Sequence, residues 1–147
     1  QVTRHPGMVI HPFGEGKAIY LPWSPGALFY HQGHLNTADF CGDLLLHIAE
    51  VGAVGGDLSP MVEVTRFAKA DGRYDLVHLV NGSGCFGNSF HPPVAMRDVS
   101  VSIECEIAPQ DVIALRGDSP PTFGWDEGVL TLTVPELNLF EALQILW

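Results

Sequence analysis

The feature that most constrains the fold is a stretch in which apolar and polar side chains alternate without exception. It runs Val99-Ser100-Val101-Ser102-Ile103-Glu104-Cys105-Glu106-Ile107. Successive side chains of a β-strand point to opposite faces, so this period of two predicts a strand with one buried and one solvated face. Cys105 falls on the apolar face, which indicates that its thiol packs as a small hydrophobe rather than doing chemistry.

Further strands are expected after Pro60, in short runs rich in β-branched, aromatic and alternating apolar residues. These runs are residues 62–67, 74–81, 112–116, 129–134 and 140–146. The last run has helical propensity, but Pro135 and Asn138 break the segment before it and the chain closes on Ile, Leu and Trp, which favours a strand. Turn residues separate the runs, at 71–72, 81–84, 109–111 and 127–128. Six short strands with such turns predict an antiparallel β-sandwich.

The first half has a different pattern. Residues 8–11 and 17–21 predict a hairpin, with turn glycines between them. After a long loop, Asn36 or Thr37 can cap a helix that runs to about residue 51, where Gly52 suits the C-terminal cap. One apolar stripe supports this helix: Phe40, Leu44, Ile48 and Val51. A hairpin and one helix are too little for an independent core.

A stretch of small residues that closes with a proline, residues 52–60, separates the two patterns and is typical of a linker. We therefore expect one segment at 1–56 and a sandwich at 57–147, which makes the chain α+β overall. The first residues carry no signal-peptide pattern and no initiator Met, so the chain reads as though cut from something longer.

Charge excludes two classes of partner. The chain has 17 acidic and 7 basic residues, a net charge of −10, and no Lys/Arg cluster that could neutralise phosphates. Nucleic acid and anionic membranes are therefore not expected partners. Charged residues make up only 16% of the chain, so some apolar surface is expected to face a partner chain. Three widely spaced cysteines do not form a disulfide framework, which slightly favours a reducing compartment such as the cytoplasm.

No catalytic constellation emerges from the residue types. Glycoside hydrolysis needs two carboxylates, and Glu104 and Glu106 share the solvated face of the predicted strand, but a solvated face explains them as well. His31 and His34, with Cys41 downstream, lack the second ligand pair of a zinc motif. The sequence also lacks a Gly-x-Ser-x-Gly elbow and a Walker phosphate loop. We predict no cofactor, no metal and no catalytic residue in this chain.

Aromatic side chains are the better candidates for contact with a ligand or another subunit. Trp23, Phe29 and Tyr30 cluster in the loop between the second strand and the helix. Trp125 follows Pro120 and Pro121 in what reads as a rigid loop. A tryptophan can stack on a sugar ring or anchor an interface, and structural packing is the alternative for all four.

Several segments, taken in order, resemble a known family. Residues 15–23, EGKAIYLPW, followed by Gly26-Ala27-Leu28-Phe29-Tyr30 and by the leucines after Asp43, resemble the end of a β-galactosidase trimerisation-type domain. VEVT at 62–65, LVHLVN at 76–81 and PVAMRDV at 93–99 are similar to the β-domain that follows it. The set covers nearly the whole chain.

This resemblance implies a fold and a context. Residues 1–56 would be the end of a flavodoxin-like α/β domain, and residues 57–147 would be the β-sandwich after it. The parent would be similar to a family-42 β-galactosidase or a related hypothetical glycosyl hydrolase, with its catalytic carboxylates on an upstream (β/α)8 barrel that this chain lacks. The expected role is association and support, with self-association or the rest of the hydrolase as partner. A self-standing carbohydrate-binding sandwich is the alternative, and a small acidic enzyme that uses Glu104 and Glu106 ranks last.

Overall fold

The computed structural model describes residues 4–49, 54–56 and 58–147. The chain divides into two compact units, Gln1–Gly52 and Ala53–Trp147. The short strand Val54–Gly55 pairs within the second unit, although the sequence-based boundary placed it in the first segment.

The first unit is a hairpin followed by two helices. Strands β1 (Val9–Phe13) and β2 (Gly16–Tyr20) are antiparallel, and Gly14 turns the chain with a φ of 58°. Helix α1 spans Pro25–Gln32, helix α2 spans Leu35–Asp43, and a π-helical turn follows at Leu44–Ile48. Thr37 is the one buried side chain among residues 4–49, as expected of a segment with too few elements to enclose a core of its own.

Two predictions for this unit need correction. The long loop before the predicted helix contains α1, which starts with Pro25 in its first turn and ends at Gly33 in the left-handed conformation. Proline is favoured there because its missing N–H has no partner in a first turn. The predicted helix begins at Leu35 and not at Asn36 or Thr37, and it changes to π geometry at Leu44, where Ala49 N donates to Leu44 O at 2.9 Å. Val51 and Gly52 lie outside the described residues.

The second unit is mostly β and contains two four-stranded antiparallel sheets. One sheet has the order β10-β11-β8-β3 and the other β4-β5-β12-β9, while β6 and β7 form a separate hairpin. The strands are β3 Val54–Gly55, β4 Val62–Ala68, β5 Tyr74–Asn81, β6 Cys85–Phe86, β7 Ser89–Phe90, β8 Met96–Glu104, β9 Asp111–Ala114, β10 Thr122–Asp126, β11 Val129–Leu137 and β12 Phe140–Leu146.

The core of the second unit follows from the strand register. Opposed residues of antiparallel strands share a face, so Val101 with Leu132 and Ile103 with Leu130 form one apolar face. Val77 opposite Leu143 belongs to the facing sheet. All of these side chains are buried and belong to one hydrophobic cluster, as expected of the inner layer of a sandwich.

The strand at residue 99 is confirmed, but its end is not where the alternation predicted. β8 ends at Glu104 because its partner β11 begins opposite that residue, at Val129, so the residues after Glu104 have no strand of that sheet to pair with. Cys105 is half buried and Ile107 is exposed. β11 in turn continues past Pro135 to Leu137. Proline has no N–H to donate, and the opposite residue, Asp98, leaves the ladder with a φ of 52°.

Candidate functional site

Trp125 lies on a strand and not in the predicted loop. It belongs to the edge strand β10 and is paired with the buried Leu130 of β11, so it sits on the inner side of its sheet. Among the described residues no strand pairs with the other edge of β10, and the Trp125 side chain is 40% exposed. Its Nε1 donates to the carbonyl of Cys105 at 3.3 Å.

A second tryptophan borders the same loop. Trp147 packs against the core and lines a groove of about 390 Å³ with Arg66, Asp75 and the loop residues Glu104 to Ile107. A second hollow, of about 540 Å³, lies beside Trp125, Glu127 and Val129. We call this region the tryptophan end of the sandwich: Trp125, Trp147, Arg66, Asp75 and the loop 104–107. Both hollows are shallow and open to solvent.

An ion pair between the inward-facing side chains of Arg66 and Asp75 lies at the tryptophan end. Arg66 donates from Nε and Nη2 to Asp75 Oδ2, at 2.8 and 2.6 Å, and Asp75 is buried. The same guanidinium donates from Nη1 to the carbonyl of Glu104 in the opposite sheet, at 3.3 Å. One side chain therefore links the two sheets where the apolar core ends. The alternation of Val62, Val64 and Arg66 is consistent with this inward direction of the arginine.

Glu104 and Glu106 do not share a strand face, contrary to the expectation from their spacing. Glu104 is the last residue of β8, Glu106 lies in the bend after it, and both are exposed. They border a shallow hollow together with Glu127 and Val129. Neither carboxylate sits in the water-excluded pocket in which glycosidases keep their acid.

The aromatic candidates of the first unit separate into two environments. Trp23 lies just before α1, its ring centroid is 5.3 Å from that of Phe40, and its Nε1 donates to Gly7 O at 2.9 Å. Phe29 and Tyr30 lie on α1 and not in a loop, and both are exposed. Tyr30 contacts only the neighbouring ring of His31 among the ring contacts of the described residues. Trp23 is therefore partly used for packing, while Tyr30 is accessible for contact.

The turn between β4 and β5 carries the shifted pKa values. Lys69 Nζ lies 3.0 Å from Asp71 Oδ2, and this hydrogen bond raises the pKa of Lys69 and lowers the pKa of Asp71. The backbone N–H of Arg73 also donates to Asp71, at 3.2 Å. Water screens these exposed groups, so the pair orders a turn and adds little stability.

The described part of the chain contains neither a cluster of metal-ligating side chains nor a membrane-spanning helix. Within it, no three His, Cys, Asp or Glu side chains converge as metal ligands would. None of its helices has the length and apolar character needed to cross a bilayer.

Comparison with known proteins gives a match in fold. No family model and no curated protein sequence matches the chain. Among solved structures, alpha-L-fucosidase isoenzyme 2 from Paenibacillus thiaminolyticus is similar, with a TM-score of 0.70 and 19% identity. The match covers 97% of this chain and 22% of the fucosidase chain.

A second structure matches less well. It is a cycloisomaltooligosaccharide glucanotransferase from Paenibacillus sp. complexed with cycloisomaltoheptaose, with a TM-score of 0.36 and 17% identity, covering 64% of this chain and 17% of that one. A TM-score this low does not indicate a shared fold. The fucosidase match shows a shared fold, and the chain spans about a fifth of the length of that enzyme.

Proposed function

We propose that this chain is a non-catalytic association and accessory region of a carbohydrate-active glycoside hydrolase whose catalytic barrel lies upstream. The observation that carries the proposal is the fucosidase match, in which nearly the whole chain corresponds to a minor part of a glycoside hydrolase. Fold alone does not fix function. The sequence resemblance to the C-terminal part of family-42 β-galactosidases supports the same context from different evidence.

The surface supports an accessory role. The two carboxylates with a possible catalytic spacing are exposed at a loop, and the hollows beside them are open. In the first unit, exposed aromatics offer contact surface for a subunit or for the rest of the hydrolase, in keeping with the flavodoxin-like trimerisation segment that we propose for residues 1–56. Trp23, Phe29 and Tyr30 are the proposed interface residues there.

The accessory role is tested by assaying the purified chain on nitrophenyl glycosides, α-L-fucoside and β-D-galactoside included. We expect the turnover of the chain to equal that of the Glu104→Gln/Glu106→Gln variant, because neither carboxylate lies in the enclosed site that glycosidic cleavage needs. Turnover by the chain that disappears in that double variant would refute the accessory role and establish the third interpretation, a small acidic enzyme.

The second candidate function is carbohydrate binding at the tryptophan end. The observation in its favour is that Trp125 remains partly exposed beside Glu127, which joins an apolar ring face to a hydrogen-bonding carboxylate. Sugars present both apolar C–H faces and hydroxyl groups, so such a pair suits them.

For this candidate we expect Trp125→Ala to abolish binding on a glycan array. The control is Tyr30→Ala, which removes an exposed aromatic ring from the first unit and should leave sugar binding unchanged. If the unmodified chain binds no glycan, the sugar-binding candidate fails and the accessory role is unaffected.

A further inference from the structure

The two sheets of the second unit present different outer faces. In the sheet β10-β11-β8-β3, the residues that alternate with the buried ones are mainly hydroxylated, namely Ser100, Ser102, Thr122, Thr131 and Thr133. Such a face is suited to water. In the sheet β4-β5-β12-β9, the same alternation places mostly apolar side chains outside. We call this surface the apolar face: Phe67, Leu76, His78, Val80, Ile113 and Phe140.

Three rings form the centre of the apolar face. His78 opposes Thr65 on one neighbouring strand and Ala142 on the other, so Phe67 and Phe140 are its diagonal neighbours. The His78 ring centroid lies 5.3 Å from that of Phe67 and 5.4 Å from that of Phe140. Phe67 nevertheless remains 53% exposed. A contiguous exposed apolar surface of this kind is typical of an interaction site.

One end of the apolar face carries opposite charges at its two edges. In the described part of the chain, β4 and β9 are the edge strands of the sheet. Glu63 of β4 opposes Val80, which in turn opposes Phe140. The guanidinium of Arg116, which follows β9, lies over the Phe140 ring, with its Cζ 5.4 Å from the ring centroid. A negative charge at the β4 edge thus faces a positive charge at the β9 edge across one level of the sheet.

At the other end of the apolar face the signs are reversed. The Nζ of Lys69 lies 4.8 Å from the ring centroid of Tyr74 at the β4 edge. The turn 69–73 contains two basic residues and one acidic residue, so this corner keeps a net positive charge. Tyr74 opposes Leu146, which opposes Asp111 at the β9 edge. The four corners of the apolar face therefore alternate in sign.

This alternation makes the apolar face complementary to itself. Two sheets that pack face to face keep their strands roughly aligned. A twofold axis parallel to the strands places β4 of one copy over β9 of the other, so Glu63 meets Arg116 of the second copy and the turn 69–73 meets Asp111. A second copy presents the apolar centre and all four charges in the required order by symmetry, whereas any other partner would have to reproduce that order independently.

We propose that the apolar face is a homodimer interface, in which two copies stack this sheet face to face about a twofold axis parallel to the strands. The interface buries Phe67 and pairs Glu63 of each copy with Arg116 of the other. It does not depend on the proposed accessory role, because it lies on the second unit, and the interface residues proposed for that role lie on the first.

The apolar centre is tested through the dissociation constant of the whole chain, measured by sedimentation equilibrium over a concentration series. The expected mass at high concentration is twice 16.0 kDa. Phe67→Glu should raise the dissociation constant about thirtyfold or more, as loss of a central aromatic anchor does. The matched control is Phe86→Glu, which changes an exposed phenylalanine of the separate β6–β7 hairpin and should leave the dissociation constant unchanged.

Charge reversal tests the axis. Glu63→Arg and Arg116→Glu should each raise the dissociation constant about tenfold or more, because each places like charges opposite one another. The double variant Glu63→Arg/Arg116→Glu restores opposite signs and should return the constant to within about threefold of that of the unchanged chain. Both side chains are exposed in the monomer, so these substitutions act on association, and circular dichroism should show an unchanged fold.

Three results would overturn the proposal. A monomer at every concentration would show that a different partner covers the apolar face. A dimer whose dissociation constant Phe67→Glu leaves unchanged would have formed elsewhere on the chain. A double charge-reversal variant that dimerises no more tightly than the single variants would show that Glu63 and Arg116 do not meet across the interface.

Discussion

Replacing Arg66 with Met should destabilise the second unit by about 3 kcal/mol, because it leaves a buried carboxylate without its partner. Asp75 is buried on the inner face of its sheet and accepts both of its short hydrogen bonds from the Arg66 guanidinium. The substitution also removes the bond from Arg66 to Glu104 O that joins the two sheets. The free energy of unfolding in urea, followed by circular dichroism, measures the loss.

The double variant Arg66→Met/Asp75→Leu separates the unpaired charge from the lost link between sheets. Replacing both members of a buried ion pair with apolar residues is often close to neutral, so we expect it to recover at least half of the stability lost in Arg66→Met. If the double variant is no more stable than Arg66→Met, the loss in the free energy of unfolding does not come from the unpaired Asp75 carboxylate.

Glu141→Ala is expected to cost about 3 kcal/mol, because the backbone N–H groups of Arg116, Gly117 and Ala142 lose a charged acceptor inside the fold. Glu141 lies on the inner face of β12, opposite the fully buried Leu79, and is itself buried. Its carboxylate accepts from Arg116 N at 3.0 Å and from Gly117 N at 2.7 Å, which fixes the chain after β9. Urea unfolding again measures the effect.

Two comparisons make this result specific. Glu141→Gln keeps the shape and one acceptor oxygen, so its loss should lie between zero and that of the alanine variant. Glu63→Ala removes an exposed carboxylate from β4 and should change stability by less than about 0.5 kcal/mol. Equal losses in Glu141→Ala and Glu63→Ala would contradict the role assigned to the Glu141 carboxylate.

Alternation identifies the inner faces of the second unit because a period of two is a property of the strand itself. Val99, Val101 and Ile103 are buried as expected. Alternation does not identify where a strand loses its partner, since the end of β8 depends on the start of β11. β10 escapes prediction for a related reason: it is short, contains Gly124, and comes after two prolines that are typical of loops. Only its pairing with β11 makes it a strand.

In the first unit, the sequence predicted a loop where the structure has helix α1. Pro22, Pro25 and Gly26 are typical of a loop, but a proline in the first turn begins a helix as readily as it ends a strand. The sequence identifies the aromatic residues proposed for contact, but it does not predict which residues lie beside them in the fold. Trp125 belongs to one sheet and Trp147 follows the last strand of the other, so only the folded sandwich brings both beside the loop 104–107. The flavodoxin-like assignment of residues 1–56 stays a prediction.

We propose that this chain is an accessory part of a larger sugar-cleaving enzyme. The most direct measurement is the sequence of the transcript that encodes it, read upstream of the codon for residue 1. We expect an open frame that continues into eight alternating strand and helix segments with two carboxylates at strand ends. A start codon within a few residues of that position, with no such segment before it, would contradict the claim.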